Sequence, residues 1–303
     1  MNVEALSIPG YSGNNEDRFL INTAQQIFAV IDGVSSLVPF VTRTGQSGGA
    51  MAARIVHDHL AARIVHDHLA AVGKDADLPS VLLAANERLR DYMISEEIDL
   101  SQKEALWGSA AAVVKLDGTH LHYAQTGDCM IFAVYADDSI RVLTHLQVNH
   151  LEAAAMEKWE EGIRQGLSTR AELIESVRDI LVHNRYQANT PGGYGVLNGE
   201  PLSGDFLEYG RINRIGLKAV LLLTDGLFWP AARGEGSIGW EKTVCPILEK
   251  GLQAYTDELV QLEKSDPECI AYPRFKPADD KTGVVICLPE NEPATEPYGL
   301  PRL

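Results

Sequence analysis

Cysteine, cationic charge and long apolar runs are all scarce in this chain of 303 residues. Its four cysteines, Cys129, Cys245, Cys269 and Cys287, have no paired spacing and no C-x-x-C, which excludes a disulfide framework and a cysteine-built zinc site. They read as the reduced thiols of a cytosolic protein. The 26 basic residues are outnumbered by 42 acidic ones, for a formal charge of −16. Nucleic acid and anionic membrane are both bound through excess Lys and Arg, so neither is expected as a partner. No apolar stretch approaches the ~18 residues that a membrane span needs. The N-terminal ten residues lack a basic start followed by an apolar core, and so do not read as a signal peptide. A cytoplasmic protein is expected. Missing too are G-x-S-x-G, a P-loop and H-E-x-x-H, which removes the common nucleophile, nucleotide and zinc-peptidase signatures.

What the chain does have is carboxylates at strand ends. Ile27-Phe28-Ala29-Val30-Ile31 runs into Asp32-Gly33, and Val220-Leu221-Leu222-Leu223-Thr224 runs into Asp225-Gly226. Each run reads as a buried strand, with the glycine letting the backbone turn tightly. Asp279-Asp280-Lys281-Thr282 mirrors the pattern by leading into the apolar run Val284 to Leu288, and the pair Glu16-Asp17 precedes the first of these strands. One such carboxylate alone is a turn cap. Several together suit Mg²⁺ or Mn²⁺, which prefer oxygen ligands and keep several waters. Two ions about 4 Å apart activate a water and neutralise phosphoryl charge without any side-chain nucleophile.

Along the chain, residues 1–45 read as strand, turn, strand, loop. A helix is expected from Gly48 to about Ala71 and another from Leu78 to about Tyr92. Strands at Ala110 to Leu116, His120 to Gln125, Met130 to Tyr135 and Ile140 to Leu143 read as an antiparallel meander. Helices follow at Leu151 to Gly166 and Ser168 to about Asn184, then a loop-rich link, the strand ending at Asp225, a helix from about Glu241 to Glu263 and a last strand. This order, without regular βαβ alternation, predicts an α+β fold of antiparallel sheets flanked by helices. One domain over residues 1–303 is expected, with a helical and loop insert at about 146–200 beside the site.

Residues 52 to 60 are repeated without change as residues 61 to 69. Nine residues at about 100° each come to two and a half turns, so the second copy faces the opposite side from the first. If Ile55, Val56 and Leu60 pack on the core, Ile64, Val65 and Leu69 point away from it. The helix is then apolar on both faces, or part of one copy is extruded as a loop, or the extra face binds a second subunit. The histidines His57, His59, His66 and His68 read as solvated helix residues copied by the duplication.

Asn15-Glu16-Asp17, Val30-Ile31-Asp32-Gly33, Gly108-Ser109, Thr126-Gly127-Asp128, Leu223-Thr224-Asp225-Gly226 and Asp279-Asp280-Lys281-Thr282 occur in the order and rough spacing of the metal-dependent protein phosphatases. The chain resembles that type 2C serine/threonine phosphatase family, and a bacterial member of it, over residues 8 to 288. The resemblance implies two packed antiparallel sheets with helices outside each, an α-β-β-α sandwich. It also implies two Mn²⁺ or Mg²⁺ ions, and a third where Asp128 serves. By position, Asp32 would bridge the pair and the Gly33 carbonyl would bind one ion. Asp225 and Asp279 would complete the first ion, Glu16 would reach the second, and Asp17 would orient a metal-bound water. A metal-bridging water or hydroxide would attack phosphoserine or phosphothreonine of a protein substrate directly. Ser12 stands where many members place a phosphate-binding arginine, which leaves Arg18 or Arg43 as substitutes. That departure, with the enlarged insert, motivates the alternative of a non-catalytic regulatory or scaffold module. The duplicated helix adds a possible surface for self-association.

Overall fold

The computed structural model describes residues 1–43, 45–70, 77–236 and 239–289, the side chains of residues 63–70 excepted. Along the chain these form β1 (Asn2–Ile8), β2 (Arg18–Asn22), β3 (Ile27–Val34), α1 (Gly48–Ala70), α2 (Leu78–Ser95), β4 (Gly108–Leu116), β5 (His120–Thr126), β6 (Met130–Tyr135) and β7 (Ile140–Val142). They continue as α3 (Asn149–Arg164), α4 (Arg170–Tyr186), β8 (Glu208–Asn213), β9 (Leu217–Leu223), α5 (Glu241–Lys250), α6 (Leu252–Ser265) and β10 (Lys281–Cys287). The strands pair as two antiparallel five-stranded sheets, in the orders β1-β10-β9-β6-β7 and β2-β3-β4-β5-β8.

Strand runs without polar alternation require both sheet faces to be covered, and they are. Successive side chains point to opposite faces. Phe28 and Val30 of β3 meet Ala112 and Val114 of β4, Val220 and Leu222 of β9, and Val284 and Ile286 of β10 in one layer between the sheets. The alternate residues Ala29 and Ile31 face α1 and α2, packing on Ala53, Val56, Leu60, Leu82 and Ala85. On the other sheet Leu221, Leu223 and Val285 face α5 and α6 through Val244, Ile247, Leu252, Tyr255 and Leu259. The result is the four-layered sandwich that the family resemblance implies.

The expected meander is divided between two sheets. β5 pairs with β4 and β8, whereas β6 pairs with β7 and β9. Gly127, at φ 78°, turns the chain from one sheet to the other and leaves Asp128 at the crossing. Strand patterns alone do not distinguish a hairpin from a crossover of equal length. β8 falls in the stretch read as a loop, because Glu208, Tyr209 and Gly210 on an edge strand need no apolar run. The long helix expected over 241 to 263 is broken at Gly251, where φ is 85°, into α5 and α6.

α1 runs unbroken through both copies of the repeat to Ala70, so neither copy is extruded there. In the first copy Val56 and Leu60 are buried and Ile55 packs beside Trp107. The facing of Ile64, Val65, Leu69, His66 and His68 lies outside the described side chains. The insert folds as α3 and α4 around Trp159, whose Nε1 donates to the Cys269 carbonyl at 3.1 Å and whose ring meets Phe275 edge-on. α3 and α4 thereby grip the loop that leads to Asp279.

Candidate metal centre

Strand parity continues into the site. On β3 the row facing the other sheet is Phe28, Val30 and then Asp32, so the carboxylate extends an apolar stripe to the open end of the sandwich. Asp17 lies one step beyond the Arg18–Ile31 pair of β2 and β3, across from Asp32. Asp225 opens a single 3₁₀ turn, Asp225–Leu227, at the end of β9. Asp279 stands two residues before β10, the neighbour of β9.

The glycines after Asp32 and Asp225 are needed for close backbone approach, since neither adopts the left-handed conformation. A Cβ on Gly226 would lie 1.9 Å from the Asp280 carbonyl oxygen. One on Gly33 would lie 2.5 Å from the Gly49 carbonyl oxygen and 2.7 Å from that of Glu16.

Electrostatics show which groups are gathered. Burial raises the Asp32 carboxyl well above its ordinary value, and the charges of Asp17, Asp225, Asp128 and Asp279 add to it. Asp225 is raised well above its ordinary value by burial and then by Asp279 and Asp128. Asp128 is raised by burial, with Asp279 adding and Lys276 and Arg185 opposing. Asp17, 3% exposed, is pushed up to about 8 by burial, against the hydrogen bond from Thr224. Five of the sequence-designated carboxylates therefore share one electrostatic neighbourhood.

Other designated groups are placed differently. The Glu16 carboxylate accepts from Ser35 Oγ at 2.8 Å and from Ser47 Oγ, facing the start of α1, while its backbone adjoins Gly33. Both Asp279 oxygens lie 2.7 Å from Lys276 Nζ. As the side chains stand, no three metal-ligating carboxylates, histidines or cysteines are close enough to share one ion among the described residues. Asp280 accepts from Gly10 N at 2.6 Å and Glu16 N at 2.7 Å, so it ties the N-terminal turn to the β10 entry. Arg18 lines a cavity with Arg54 and His57, and Arg43 stands exposed on the turn before α1. Ser12 Oγ donates to the Asn14 carbonyl in an exposed turn.

Several contributors carry no motif of their own. Thr224 Oγ1 donates to Asp17 Oδ2 at 2.8 Å and accepts from Thr282 N at 3.0 Å, fixing the Asp17 carboxyl from β9 and β10 together. Lys281, 1% exposed, joins the Glu263 carboxylate at 2.8 Å and the Asp279 carbonyl at 2.9 Å. From the insert, Glu152 on α3 is raised to about 7 by burial and by Asp128 and Asp279. The charges of Asp279, Asp225 and Asp32 raise Lys276, outweighing the desolvation that would lower it. For Thr224 the available signal was adjacency to Asp225, and for Lys281 adjacency to the pair Asp279-Asp280; for Glu152 there was none.

The donor set fits small hard cations. Asp128 Oδ1 and Asp225 Oδ1 are enclosed without a hydrogen-bond partner, which is costly for a carboxylate unless a cation satisfies it. Mg²⁺ and Mn²⁺ take few protein oxygens and retain waters, so a sparse set suffices.

The Protein phosphatase 2C family matches the chain over residues 12–264. Comparison with curated proteins finds no match. Among solved structures, the Mycobacterium tuberculosis serine/threonine phosphatase PstP/Ppp is similar at TM-score 0.54 and 17% identity, over 94% of this chain and 97% of that one. The PstP catalytic domain in complex with two manganese ions gives 0.53 and 16%, over 94% and 96%. Stp1 from Staphylococcus aureus gives 0.53 and 15%, over 95% and 94%. At these identities the likeness is one of fold. The family match spans most of the chain and takes in Asp17, Asp32, Asp128 and Asp225: the chain belongs to the protein phosphatase 2C family and is a phosphatase.

Proposed function

We propose that this phosphatase hydrolyses phosphoserine and phosphothreonine in proteins with two Mn²⁺ or Mg²⁺ ions, within one catalytic domain. The observation that carries the reading is the convergence of Asp17, Asp32, Asp128, Asp225 and Asp279, with enclosed and unpartnered oxygens on Asp128 and Asp225. When bound, such ions supply a water of lowered pKa and neutralise charge on the phosphoryl group.

The chain's own residues supply the frame. Asp32 would span both ions and the Gly33 carbonyl would face one of them. Asp225 and Asp279 would hold the first ion, Glu16 the second, and Asp128 a third. Asp17, its Oδ2 held by Thr224 Oγ1, would orient the attacking water. Reaching the first ion requires Asp279 to leave Lys276.

Asp32→Ala and Asp225→Ala are each expected to abolish manganese-dependent hydrolysis of an aryl phosphate while circular dichroism stays that of the wild type. Full turnover by either variant would sink the assignment. A cytoplasmic signalling role, and self-association through residues 61 to 69, belong to this proposal.

A further inference from the structure

An open cavity of about 380 Å³ lies beside the metal centre, lined among the described residues by Ser7, Asn15, Asp17, Arg18, Phe19, Arg54, His57 and Asp58. Arg18 comes from β2, and Arg54 and His57 come from one face of α1. Asp17 belongs to the cavity wall and to the acidic cluster, so the two regions are contiguous.

Arg18 Nε is enclosed with no hydrogen-bond partner. Arg54 donates Nη1 to Gln46 Oε1 at 3.1 Å and makes no ion pair among the described residues. The Asp58 carboxylate is engaged by His57 Nδ1 at 2.9 Å, and Asn15 Nδ2 is spent on Ser7 Oγ. Two guanidinium forks therefore converge on one opening with donors left over, and a planar fork matches the two oxygens of a carboxylate or phosphoryl group.

We propose that this cavity is an oxyanion subsite that takes a second anionic group of the substrate, an acidic side chain or a further phosphoryl, next to the residue being dephosphorylated. The part played by the substrate rests on the phosphatase reading; the anion binding does not. Arg18 thus serves substrate recognition away from the scissile phosphate, and Arg54 and His57 join it.

The test is fluorescence anisotropy on the full chain in EDTA, where no turnover occurs. Three labelled peptides are compared, alike except for a pair of aspartates, a phosphoserine or a pair of glutamines. The wild type is expected to bind at least one anionic peptide about tenfold more tightly than the glutamine peptide, and Arg54→Ala to erase that preference while Arg54→Lys keeps part of it. The anionic peptide that binds more tightly names the source of the group. Equal binding of all three by the wild type, or an unchanged preference in Arg54→Ala, overturns the proposal. The net negative charge of the protein works against any non-specific preference for anions, so a positive result reports the site. Circular dichroism and manganese-dependent aryl phosphate turnover, both expected to be unaltered in Arg54→Ala, show that the variant is folded. If the wild type does not hydrolyse aryl phosphate, the phosphatase reading fails while the anisotropy still decides the cavity.

Discussion

Lys281 shows how much of a metal centre is built by residues that never touch the metal. Its ammonium is enclosed, 1% exposed, and satisfied by Glu263 and by the carbonyl of Asp279. Removing one partner of a buried pair leaves the other charge uncompensated, at a cost of about 3–5 kcal/mol. Lys281→Met is expected to lose stability of that order in urea unfolding, and Lys281→Met with Glu263→Leu to recover most of it. A loss no larger than that of a surface substitution would show that the pair is not enclosed in solution. Thr224→Val removes the donor to Asp17 without altering any proposed ligand. Lost outer-shell partners typically cost about 10–100-fold in activity or metal affinity. The variant should show that loss in kcat, with a displaced pH profile and manganese affinity by calorimetry near that of the wild type. The Asp-Gly pairs were legible in the sequence because an apolar run ended in a carboxylate. Thr224 and Lys281 were not, because a threonine or lysine beginning or ending a strand is ordinary until its partner across the sheet is known.

Elements were legible where one period dominated. The runs at Ile27 to Ile31 and Val220 to Leu223 read as buried strands, and both lie inside their sheets, flanked by a strand on each side. The division of β5 and β6 between sheets was hidden, since Gly127 and Asp128 suit a hairpin as well as a crossover. That crossover is what carries Asp128 to the site. α1 poses a different question, because a continuous helix spans both copies of the repeat, and among the described side chains Val56 and Leu60 of the first copy lie in the core. Deleting residues 61 to 69 restores a single copy, keeps Val56 and Leu60 in the core, and is expected to leave aryl phosphate turnover near that of the full chain. If the second copy forms a dimer face, sedimentation should show the mass fall to that of one chain on deletion. An unchanged mass removes self-association through this helix.

The whole molecule concentrates carboxyls whose protons the fold retains. Asp17 is raised from 3.8 to about 8 and Glu152 from 4.5 to about 7, with Asp32, Asp128 and Asp225 also raised, burial being the first cause in each case. The unfolded chain releases these protons near the ordinary carboxylate values, so above them the folded state holds more protons than the unfolded one. Stability then falls as pH rises. The contribution is complete below pH 3.8 and is lost progressively up to about pH 8, where Asp17 ionises. At about 1.4 kcal/mol per unit, even half of the Asp17 shift weakens the fold by about 3 kcal/mol across that window. Manganese acts in the opposite sense, because its ligands must be deprotonated and it stabilises the state it binds. Thermal unfolding in EDTA should therefore show Tm decreasing from mildly acidic pH toward about pH 8, while the increment in Tm on adding manganese grows over the same range. A Tm in EDTA that is flat or rises with pH would mean that these carboxyls are not enclosed together, and the dimetal reading would lose its main support.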